Sequence, residues 1–351
     1  MKMRITIFPG DGIGPEVLAS GVRVLNHLAQ KFNHEIEFQE RLIGGCCIDK
    51  FATAITDEAI ETAKQSDAVL LGAVGGPKWD NPNAQVRPER GLLRLRKELG
   101  VFANIRPVKV YPCLTRLSPV KSELLKNVDI IVIRELTSGL YFGEKKRMLV
   151  DGHDTAIDVL QYQDFEIERI VELAFRIAKE RKQKVTSVDK ANVLESSRMW
   201  RKIAGEIASR QPDIAYENML VDTASMRLIS RPTDFDVIVT ENMFGDILTD
   251  EASILAGSMG LLPSASLGET SRGLYEPIHG SAPDIAGKGI ANPIGTIMST
   301  AMMLRYSFGL EQEAHLIESA VEMCINQNVL PIDLGGSAST ETVTEKIISL
   351  I

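Results

Sequence analysis

The chain has 351 residues, of which 44% are hydrophobic and 25% are charged, and its formal net charge is -8 at pH 7. This composition is typical of a globular protein, and the length favours about two domains or one domain with a large insertion. The negative charge disfavours nucleic acid as a partner. The basic stretch at 87–97 is the one candidate patch, and a solvated helix face explains most of it.

The opening segment, MKMRITIFPG, predicts a short strand that ends near Pro9. It is too short to be the apolar core of a signal peptide, and the sequence contains no apolar run as long as a membrane span. We therefore expect a cytoplasmic protein. The four cysteines lack the spacing of a zinc site, so we expect reduced thiols with packing roles; they are Cys46, Cys47, Cys113 and Cys324.

Apolar runs alternate with helix-like segments through most of the chain. The strand-like runs are RITIF, AVLLGAV, DIIVIREL, KVTSVDKAN, ENMLVDTA and FDVIVTEN, and the helix-like segments include 16–31, 165–182, 196–210, 293–308 and 312–327. Strands that are apolar almost throughout favour a sheet covered by helices, so the pattern predicts an α/β fold. The polar, turn-rich region 139–164 departs from this pattern and could form a strand-rich arm that packs on a second subunit.

The first glycine motif, GDGIGPE, follows the first strand directly. It does not match the dinucleotide-binding fingerprint, because its glycines run GxGxG and Pro15 stands where the third glycine of GxGxxG is expected. In addition, no acidic residue follows about 20 residues later at the end of a second strand. We interpret the motif as a tight strand-to-helix turn with Pro15 in the first helical turn. Glycine-rich loops at 257–273, 280–295 and 335–339 would let the backbone approach a ligand closely.

The segment PERGLLRLRK predicts a helix that presents Glu89, Leu92, Leu93 and Arg96 on one face. The two leucines could hold a small branched hydrocarbon, and the guanidinium of Arg96 could hold a carboxylate. A core stripe with charged ends that reach solvent remains the alternative interpretation.

The segment VIVTENMFGDILTDEA places Asp246 and Asp250 four residues apart on a predicted helix. Their carboxylates share one helix face and would repel each other, which favours a cation between them. Oxygen ligands at this density suit Mg²⁺ or Mn²⁺. A solvated acidic face is the alternative, and this segment alone does not decide between the two.

Several polar residues are predicted to fall just past strand ends. They are Arg106, Arg134, Lys190, Asp222 and Asp246. Ligands of open α/β sheets bind outside the carboxyl ends of the strands, so three cations and two carboxylates there predict a site for a di-anionic, metal-chelating small molecule. Tyr141 supplies a phenol that could donate a proton.

These segments resemble a known family, the metal-dependent decarboxylating dehydrogenases of β-hydroxy acids. NMFGDILTDEAS is similar to the family signature around the metal-binding aspartates, and VDKANVL, RELTSGLYFGE, FANIRPVKV and EPIHGSAPDIAGKGIANP resemble its other blocks, in the family order. Within the family, PERGLLRLRKELGVFANIRP resembles the branch that acts on 3-isopropylmalate. There Glu89, Leu92 and Leu93 stand where isocitrate enzymes carry serine and asparagine.

The resemblance implies NAD-dependent oxidation and decarboxylation of (2R,3S)-3-isopropylmalate to 4-methyl-2-oxopentanoate and CO₂, a step of leucine biosynthesis. It implies that Lys190 is the base and Tyr141 the acid, and that Asp222, Asp246 and Asp250 bind Mg²⁺ or Mn²⁺. The implied substrate residues are Glu89, Leu92, Leu93, Arg96, Arg106, Arg134, Val193 and Asp222. The implied NAD residues are Glu276, His279, Gly280, Ser281, Ala282, Pro283, Asp284, Ile285 and Asn292. Asp284 would accept the ribose hydroxyls and repel the phosphate of NADP.

The fold implied by the resemblance is an α/β fold of two domains that is not a Rossmann fold, with the active site in the cleft between them. The first domain comprises 1–101 and 257–351 and binds the cofactor, and the second, 102–256, carries the dimer contacts and the arm. In the family, Lys190 and Asp222 serve the partner's site, so we expect a homodimer. Two alternatives remain: a homoisocitrate or tartrate/malate dehydrogenase, and a non-catalytic regulatory subunit, which usually lacks the lysine, tyrosine or aspartates present here.

Overall fold

The computed structural model describes residues 1–81 and 84–351. The strands are β1 (Lys2–Gly10), β2 (Glu35–Glu40), β3 (Ala68–Ala73), β4 (Ala103–Lys109), β5 (Asp129–Glu135), β6 (Lys145–Val150), β7 (His153–Asp158), β8 (Lys184–Asp189), β9 (Ala215–Leu220), β10 (Val237–Thr240), β11 (Pro263–Leu267) and β12 (Gly273–Pro277). The helices are α1 (Gly14–Phe32), α2 (Gly45–Phe51), α3 (Asp57–Gln65), α4 (Pro88–Leu99), α5 (Asp164–Lys179), α6 (Glu195–Ser209), α7 (Val221–Ser230), α8 (Asn242–Ala256), α9 (Ile294–Phe308), α10 (Glu311–Asn326) and α11 (Thr340–Leu350). The predicted α/β fold class is confirmed.

The chain divides into two compact units. The first comprises Met1–Val101, Tyr111–Pro119 and Ala256–Ile351, and the second comprises Phe102–Val110 and Val120–Leu255. The short segment 111–119, which the sequence analysis placed in the second domain, groups with the first unit.

The sheet of the first unit has the order β2-β1-β3-β12-β11. β1 is parallel to both β2 and β3, and β11 is antiparallel to β12. Every residue of β3 is buried, because Val69 and Leu71 pack with Ile60 of α3 and Leu95 of α4 in one apolar cluster. A central strand that is apolar on both faces requires this cover of helices.

The sheet of the second unit has the order β4-β5-β10-β8-β9, in which β4 is antiparallel to β5 and the remaining neighbours are parallel. Thr240, the last residue of β10, lies beside Arg134 of β5 and Val188 of β8. The carboxyl ends of β5, β10 and β8 therefore meet at one edge, where the next residues of each chain segment are brought together.

Region 139–164 contains an antiparallel hairpin, β6 and β7, which forms a small sheet of its own. Its side chains are largely exposed, among them apolar ones such as Leu149, with 71% of its surface accessible. The predicted strand-rich character is confirmed, and packing on a second subunit stays a prediction.

One predicted position and one predicted strand boundary were wrong in detail, whereas Asp222 does follow a strand end as predicted. Arg106 does not follow a strand but lies inside β4, because this strand continues to Lys109 by antiparallel pairing with β5. The strand-like run around Asp222 ends at Leu220, and Asp222 lies in the first turn of α7. The predicted strand-to-helix turn after β1 is confirmed, with Pro15 at the start of α1. Within the described ranges, no helix combines the length and apolarity that crossing a bilayer requires.

Candidate active site

Helix α8 begins directly after β10 and carries both Asp246 and Asp250 on one side. The Glu241 carboxylate accepts a hydrogen bond from the backbone N–H of Phe244 at 2.8 Å and so satisfies a donor of the first turn. Gly245 has no side chain where a Cβ would lie 2.6 Å from Cγ of Arg134. The glycine therefore lets the stem of Arg134 pass against the helix, a requirement that the sequence analysis did not identify.

Arg134, Tyr141 and Asp246 form one contact group. The Arg134 guanidinium, which is only 3% exposed, donates to one carboxylate oxygen of Asp246, and the Tyr141 hydroxyl donates to the other. The guanidinium carbon also lies 5.1 Å from the centre of the Tyr141 ring. Sequence reasoning predicted all three residues, and the structure brings them together.

Burial and neighbouring charges determine the protonation states of Tyr141 and Asp246. Burial raises the pKa of the Tyr141 phenol, and the hydrogen bond to Asp246 and the charge of that carboxylate raise it further. Burial also acts to raise the pKa of Asp246, but the positive charge of Arg134 and the hydrogen bond from Tyr141 hold it below its usual range. At neutral pH the phenol is therefore protonated and the carboxylate is ionised.

Arg106 and Asp250 lie beside this group. Arg106 donates to Oγ1 of Thr249 at 2.7 Å and to Oδ1 of Asn104 at 2.6 Å, and its Nη1 is 3.8 Å from Asp250. Burial raises the pKa of Asp250, the charge of Arg106 opposes the rise, and the negative charge of Asp246 adds to it. Two carboxylates that repel each other on one helix face form a donor set that a hard divalent cation would stabilise.

Lys190 and Asp222 form a separate pair, with Nζ 2.5 Å from the carboxylate. The hydrogen bond from Lys190 holds the pKa of Asp222 below its usual range. The backbone N–H of Lys190 donates to Oγ of Ser197 at 3.0 Å, which fixes the turn after β8. Val193, in the same turn, is 62% exposed.

Within the described part of the chain, no group of three or more histidine, cysteine, aspartate or glutamate side chains is placed to hold a metal ion. Asp222 lies on α7 in an ion pair with Lys190, whereas Asp246 and Asp250 lie one turn apart on α8.

Helix α4 carries the predicted specificity residues Glu89, Leu92, Leu93 and Arg96. Leu92 packs against the apolar cluster that covers β3, so part of its side chain belongs to the core. Arg96 donates to Glu276 at 2.5 Å in a largely buried pair, and its Nε is buried without a hydrogen-bond partner among the described residues. A buried guanidinium N–H that lacks a partner is suited to donate a hydrogen bond to an anionic ligand oxygen.

The predicted cofactor residues from His279 to Asn292 lie on the loop between β12 and α9, whereas Glu276 lies within β12 and accepts from Arg96. The backbone N–H of Ile13 donates to the carbonyl of Ser281 at 2.8 Å, so the turn after β1 supports this loop. Gly12 has a φ of +58°, and a Cβ there would lie 1.9 Å from the same carbonyl oxygen. The GDGIGPE turn thus contributes by holding the loop in place.

His279 presents an acceptor nitrogen in this loop. Its Nδ1 lies 2.9 Å from the carbonyl of Gly280; since a carbonyl only accepts, Nδ1 carries the proton. Nε2 is buried and has no partner among the described residues. Burial lowers the pKa of His279, which keeps the ring neutral and Nε2 able to accept. A ligand group that donates a hydrogen bond, such as an amino group, would provide a partner for Nε2.

The other loop residues divide between exposed and structural positions. Asp284 is exposed, whereas Ile285 packs against Ile13 and Val17. Asn292 is buried and uses its amide within the protein: Oδ1 accepts from the backbone of Ile294, and Nδ2 donates to Asp333. Asn292 therefore fixes the start of α9.

Asp11 is a supporting residue that sequence reasoning missed. Its buried carboxylate accepts backbone hydrogen bonds from Gly45, Cys46 and Gly75 at 2.7 to 2.8 Å. It thereby joins two loops to the turn after β1. An aspartate between two glycines was the available signal, but its partners lie far away in the sequence.

Comparisons with known proteins agree with this arrangement. The profile of the isocitrate/isopropylmalate dehydrogenase family matches residues 4–348. The 3-isopropylmalate dehydrogenase of Anaeromyxobacter dehalogenans is 63% identical over 349 residues, covering 99% of each chain. That of Bacillus subtilis is 54% identical over 356 residues, covering 100% of this chain and 98% of the relative.

Solved structures show the same fold. The crystal structure of isocitrate dehydrogenase from Methylococcus capsulatus is 33% identical, with a TM-score of 0.87 and 99% of both chains covered. A beta-decarboxylating dehydrogenase from Thermococcus kodakarensis is 38% identical, with a TM-score of 0.81 and 99% of this chain and 96% of that one covered. With a family profile that spans nearly the whole sequence and relatives above 50% identity, the chain belongs to the isocitrate/isopropylmalate dehydrogenase family.

Proposed function

We propose that the protein catalyses the NAD-dependent oxidative decarboxylation of (2R,3S)-3-isopropylmalate to 4-methyl-2-oxopentanoate and CO₂, in leucine biosynthesis. The observation that carries the proposal is the group formed by Arg134, Tyr141 and Asp246, with Arg106 and Asp250 beside it. It combines cations for substrate carboxylates, a protonated phenol and two carboxylates for a metal. Relatives named 3-isopropylmalate dehydrogenase match the chain over nearly its full length, which supports the choice of substrate.

The arginines account for binding of a dicarboxylate. Arg106 and Arg134 are held by hydrogen bonds to neighbouring side chains, so their guanidinium groups are oriented before the substrate arrives. Arg96 provides a further cation whose buried Nε lacks a partner among the described residues. Leu93 and the exposed part of Leu92 would contact the isopropyl group.

Asp246 and Asp250 would hold Mg²⁺ or Mn²⁺, and their mutual repulsion on α8 fits this function. When bound, the cation supplies a Lewis acid that lowers the pKa of the substrate hydroxyl and stabilises the negative charge left when CO₂ departs. Lys190 would accept the hydroxyl proton, and Tyr141, whose raised pKa keeps its proton in place, would protonate the enol carbon.

NAD would bind the loop that carries His279 and Asp284. The unpaired acceptor Nε2 of His279 fits the amino group of adenine. The exposed carboxylate of Asp284 would accept the two ribose hydroxyls and repel a phosphate at the same position, which favours NAD over NADP.

We also propose a homodimer in which Lys190 and Asp222 complete the partner's site. This assignment is supported by the pairing of Lys190 with Asp222, apart from the contact group of Arg134, Tyr141 and Asp246. The exposed apolar side chains of the β6–β7 hairpin would be covered by the second subunit.

A panel of substrates tests the proposal. Purified protein with NAD and Mg²⁺ should show a kcat/KM for 3-isopropylmalate at least about 100-fold above those for homoisocitrate, tartrate and malate, because a matching apolar pocket discriminates on this scale. A preference for homoisocitrate or tartrate would move the protein to another branch of the family. Lack of turnover with every acid would favour a regulatory subunit.

A further inference from the structure

Asn242 is a buried residue at the first position of α8, with only 1% of its surface exposed. Its Oδ1 accepts two hydrogen bonds from Arg134, from Nε at 3.0 Å and from Nη2 at 2.9 Å. Its Nδ2 donates to the carbonyl of Ser138 at 3.1 Å. One amide therefore joins the guanidinium of Arg134 to the turn that leads to Tyr141.

A buried network holds Asn242 itself in place. Its backbone N–H donates to the hydroxyl of Tyr162 at 3.0 Å. That hydroxyl lies 3.3 Å from Glu135 and 3.4 Å from Glu241. A hydroxyl carries one proton, so it donates to one of these two glutamates at a time. Because these side chains are buried, water competes little for their hydrogen bonds and the position of Asn242 is well defined.

The same hydroxyl packs against the turn before Tyr141. Gly139 has a φ of +75°, and a Cβ there would lie 2.7 Å from the hydroxyl oxygen of Tyr162. The turn at Gly139–Tyr141 is thus closed by Tyr162 on one side and by the bond from Asn242 to Ser138 on the other.

The choice of an amide at this position has an electrostatic consequence. An asparagine oxygen can accept two N–H groups of Arg134 without cancelling its positive charge. An aspartate would form an ion pair with the guanidinium and compete with a substrate carboxylate. Asn242 also begins the helix that carries Asp246 one turn later, so three residues of the proposed site depend on it.

We propose that Asn242 is a positioning residue that orients Arg134 and the Tyr141 turn toward Asp246 without adding a second carboxylate to the positively charged Arg134. This inference rests on the proposed function. It predicts that Asn242→Ala raises KM for 3-isopropylmalate by about 10- to 100-fold, the effect of losing hydrogen bonds to a charged group. The KM for NAD should stay within about twofold, because the hydrogen bonds of Asn242 described above go to Arg134, Ser138 and Tyr162.

Asn242→Asp separates this function from a merely structural one. Aspartate keeps the shape and still accepts from Arg134, but it loses the donor to Ser138 and adds a negative charge beside the guanidinium. If Asn242 acts as proposed, KM for 3-isopropylmalate stays raised in Asn242→Asp at temperatures where the variant is fully folded, whereas a wild-type KM in that variant would mark a merely structural role. Asn218→Ala is the matched control, since Asn218 lies in the same unit and its side chain accepts a hydrogen bond from the Tyr216 hydroxyl, away from Arg134.

Nitrogen-15 NMR of the arginine Nε–H groups gives a readout that does not need activity. The Arg134 signal, assigned with Arg134→Lys, should be protected from solvent exchange in the wild type and lose protection in Asn242→Ala. Equal exchange in both proteins would overturn the inference. So would an unchanged KM in both variants of an active wild-type enzyme. A wild type that fails to turn over 3-isopropylmalate but shows protected Nε–H would contradict the proposed function and support the geometry.

Discussion

At the scale of single residues, prediction succeeded where a side chain acts through its own chemistry. Arg134, Tyr141 and Asp246 were predicted from residue type and position, and they are in contact. Asn242 and Gly245 were not predicted, because both act through Arg134. Asn242 accepts its hydrogen bonds, and Gly245 leaves space for its side chain. Such effects depend on which strands become neighbours, and the local sequence does not contain that information.

The metal assignment of Asp250 leads to a direct prediction. Asp250→Asn removes a negative charge from the proposed ligand set and should raise the Mg²⁺ concentration for half-maximal NADH production by about 10-fold or more. Glu251→Gln is the matched control, because this neighbouring carboxylate instead bonds Ser225 at 3.0 Å. An equal effect of both changes would show that only the overall charge of α8 matters.

The assignment of Asp284 predicts cofactor preference. Asp284→Lys should raise KM for NAD and increase the ratio of NADP to NAD turnover, because a cation replaces the proposed ribose acceptor. Ile285 should be left unchanged in this test, since it packs against Ile13 and a larger side chain would disturb the loop. Kinetics with both cofactors measure the effect, with Glu269→Gln as an exposed control. An unchanged ratio of NADP to NAD turnover would argue against Asp284 as the residue that binds the ribose hydroxyls.

At the scale of elements, helices and strands followed from the hydrophobic pattern, and the errors arose where tertiary pairing extends or ends an element. β4 continues past Arg106 because β5 pairs with it as far as Lys109. The strand before Asp222 ends earlier than expected, because its pairing with β8 stops at Leu220 and α7 begins at once. Pro107 follows Arg106 directly yet lies inside β4, and no glycine or proline marks the end of β9 at Leu220.

Two leucines of helix α4 allow the effect of the proposed substrate pocket to be measured separately from the effect of the hydrophobic core. Leu93→Ala should lower the kcat/KM ratio of 3-isopropylmalate to malate by about 10- to 100-fold, since burial of a branched side chain contributes roughly 1.5–3 kcal/mol. Leu92→Ala should in addition lower the free energy of unfolding by about 2 kcal/mol, because Leu92 packs against the core. Denaturant unfolding and kinetics distinguish the two. An unchanged substrate preference in Leu93→Ala would place the pocket elsewhere.

The turn after β1 gives a test of how the NAD loop is supported. Gly12→Ala should raise KM for NAD, because the added Cβ meets the carbonyl of Ser281. Gly100→Ala is matched to it: φ is +67° at Gly100, but a Cβ there meets no atom within 4 Å. Both changes should cost stability through the positive φ. Only Gly12→Ala should alter KM for NAD. Equal KM values for NAD in the two variants would contradict the proposed support of the NAD loop by the turn after β1.

At the scale of the whole molecule, the fold class and the family followed from the sequence because the motifs occur in order along the entire chain. The grouping of 111–119 with the first unit did not follow, since a nine-residue segment carries too little pattern to assign. The proposed sharing of sites between two chains comes from the family resemblance.

Complementation tests this sharing. Lys190→Ala and Asp246→Ala proteins should each be nearly inactive, the first without its base and the second without a metal ligand. Subunit exchange should give heterodimers in which one site carries both defects and the other carries neither, with up to about half of wild-type activity. If mass spectrometry shows heterodimers and the mixture stays as inactive as its parents, each site is built within one chain.

The central claim is that this chain couples oxidation of 3-isopropylmalate to loss of CO₂ with a divalent metal. The most direct measurement follows NADH, CO₂ and 4-methyl-2-oxopentanoate together from a known amount of 3-isopropylmalate, with Mg²⁺ and after its removal by a chelator. We predict equal amounts of all three products, with activity lost on chelation and restored by added Mg²⁺. NADH without CO₂, or turnover that persists in the metal-free protein, would contradict the account.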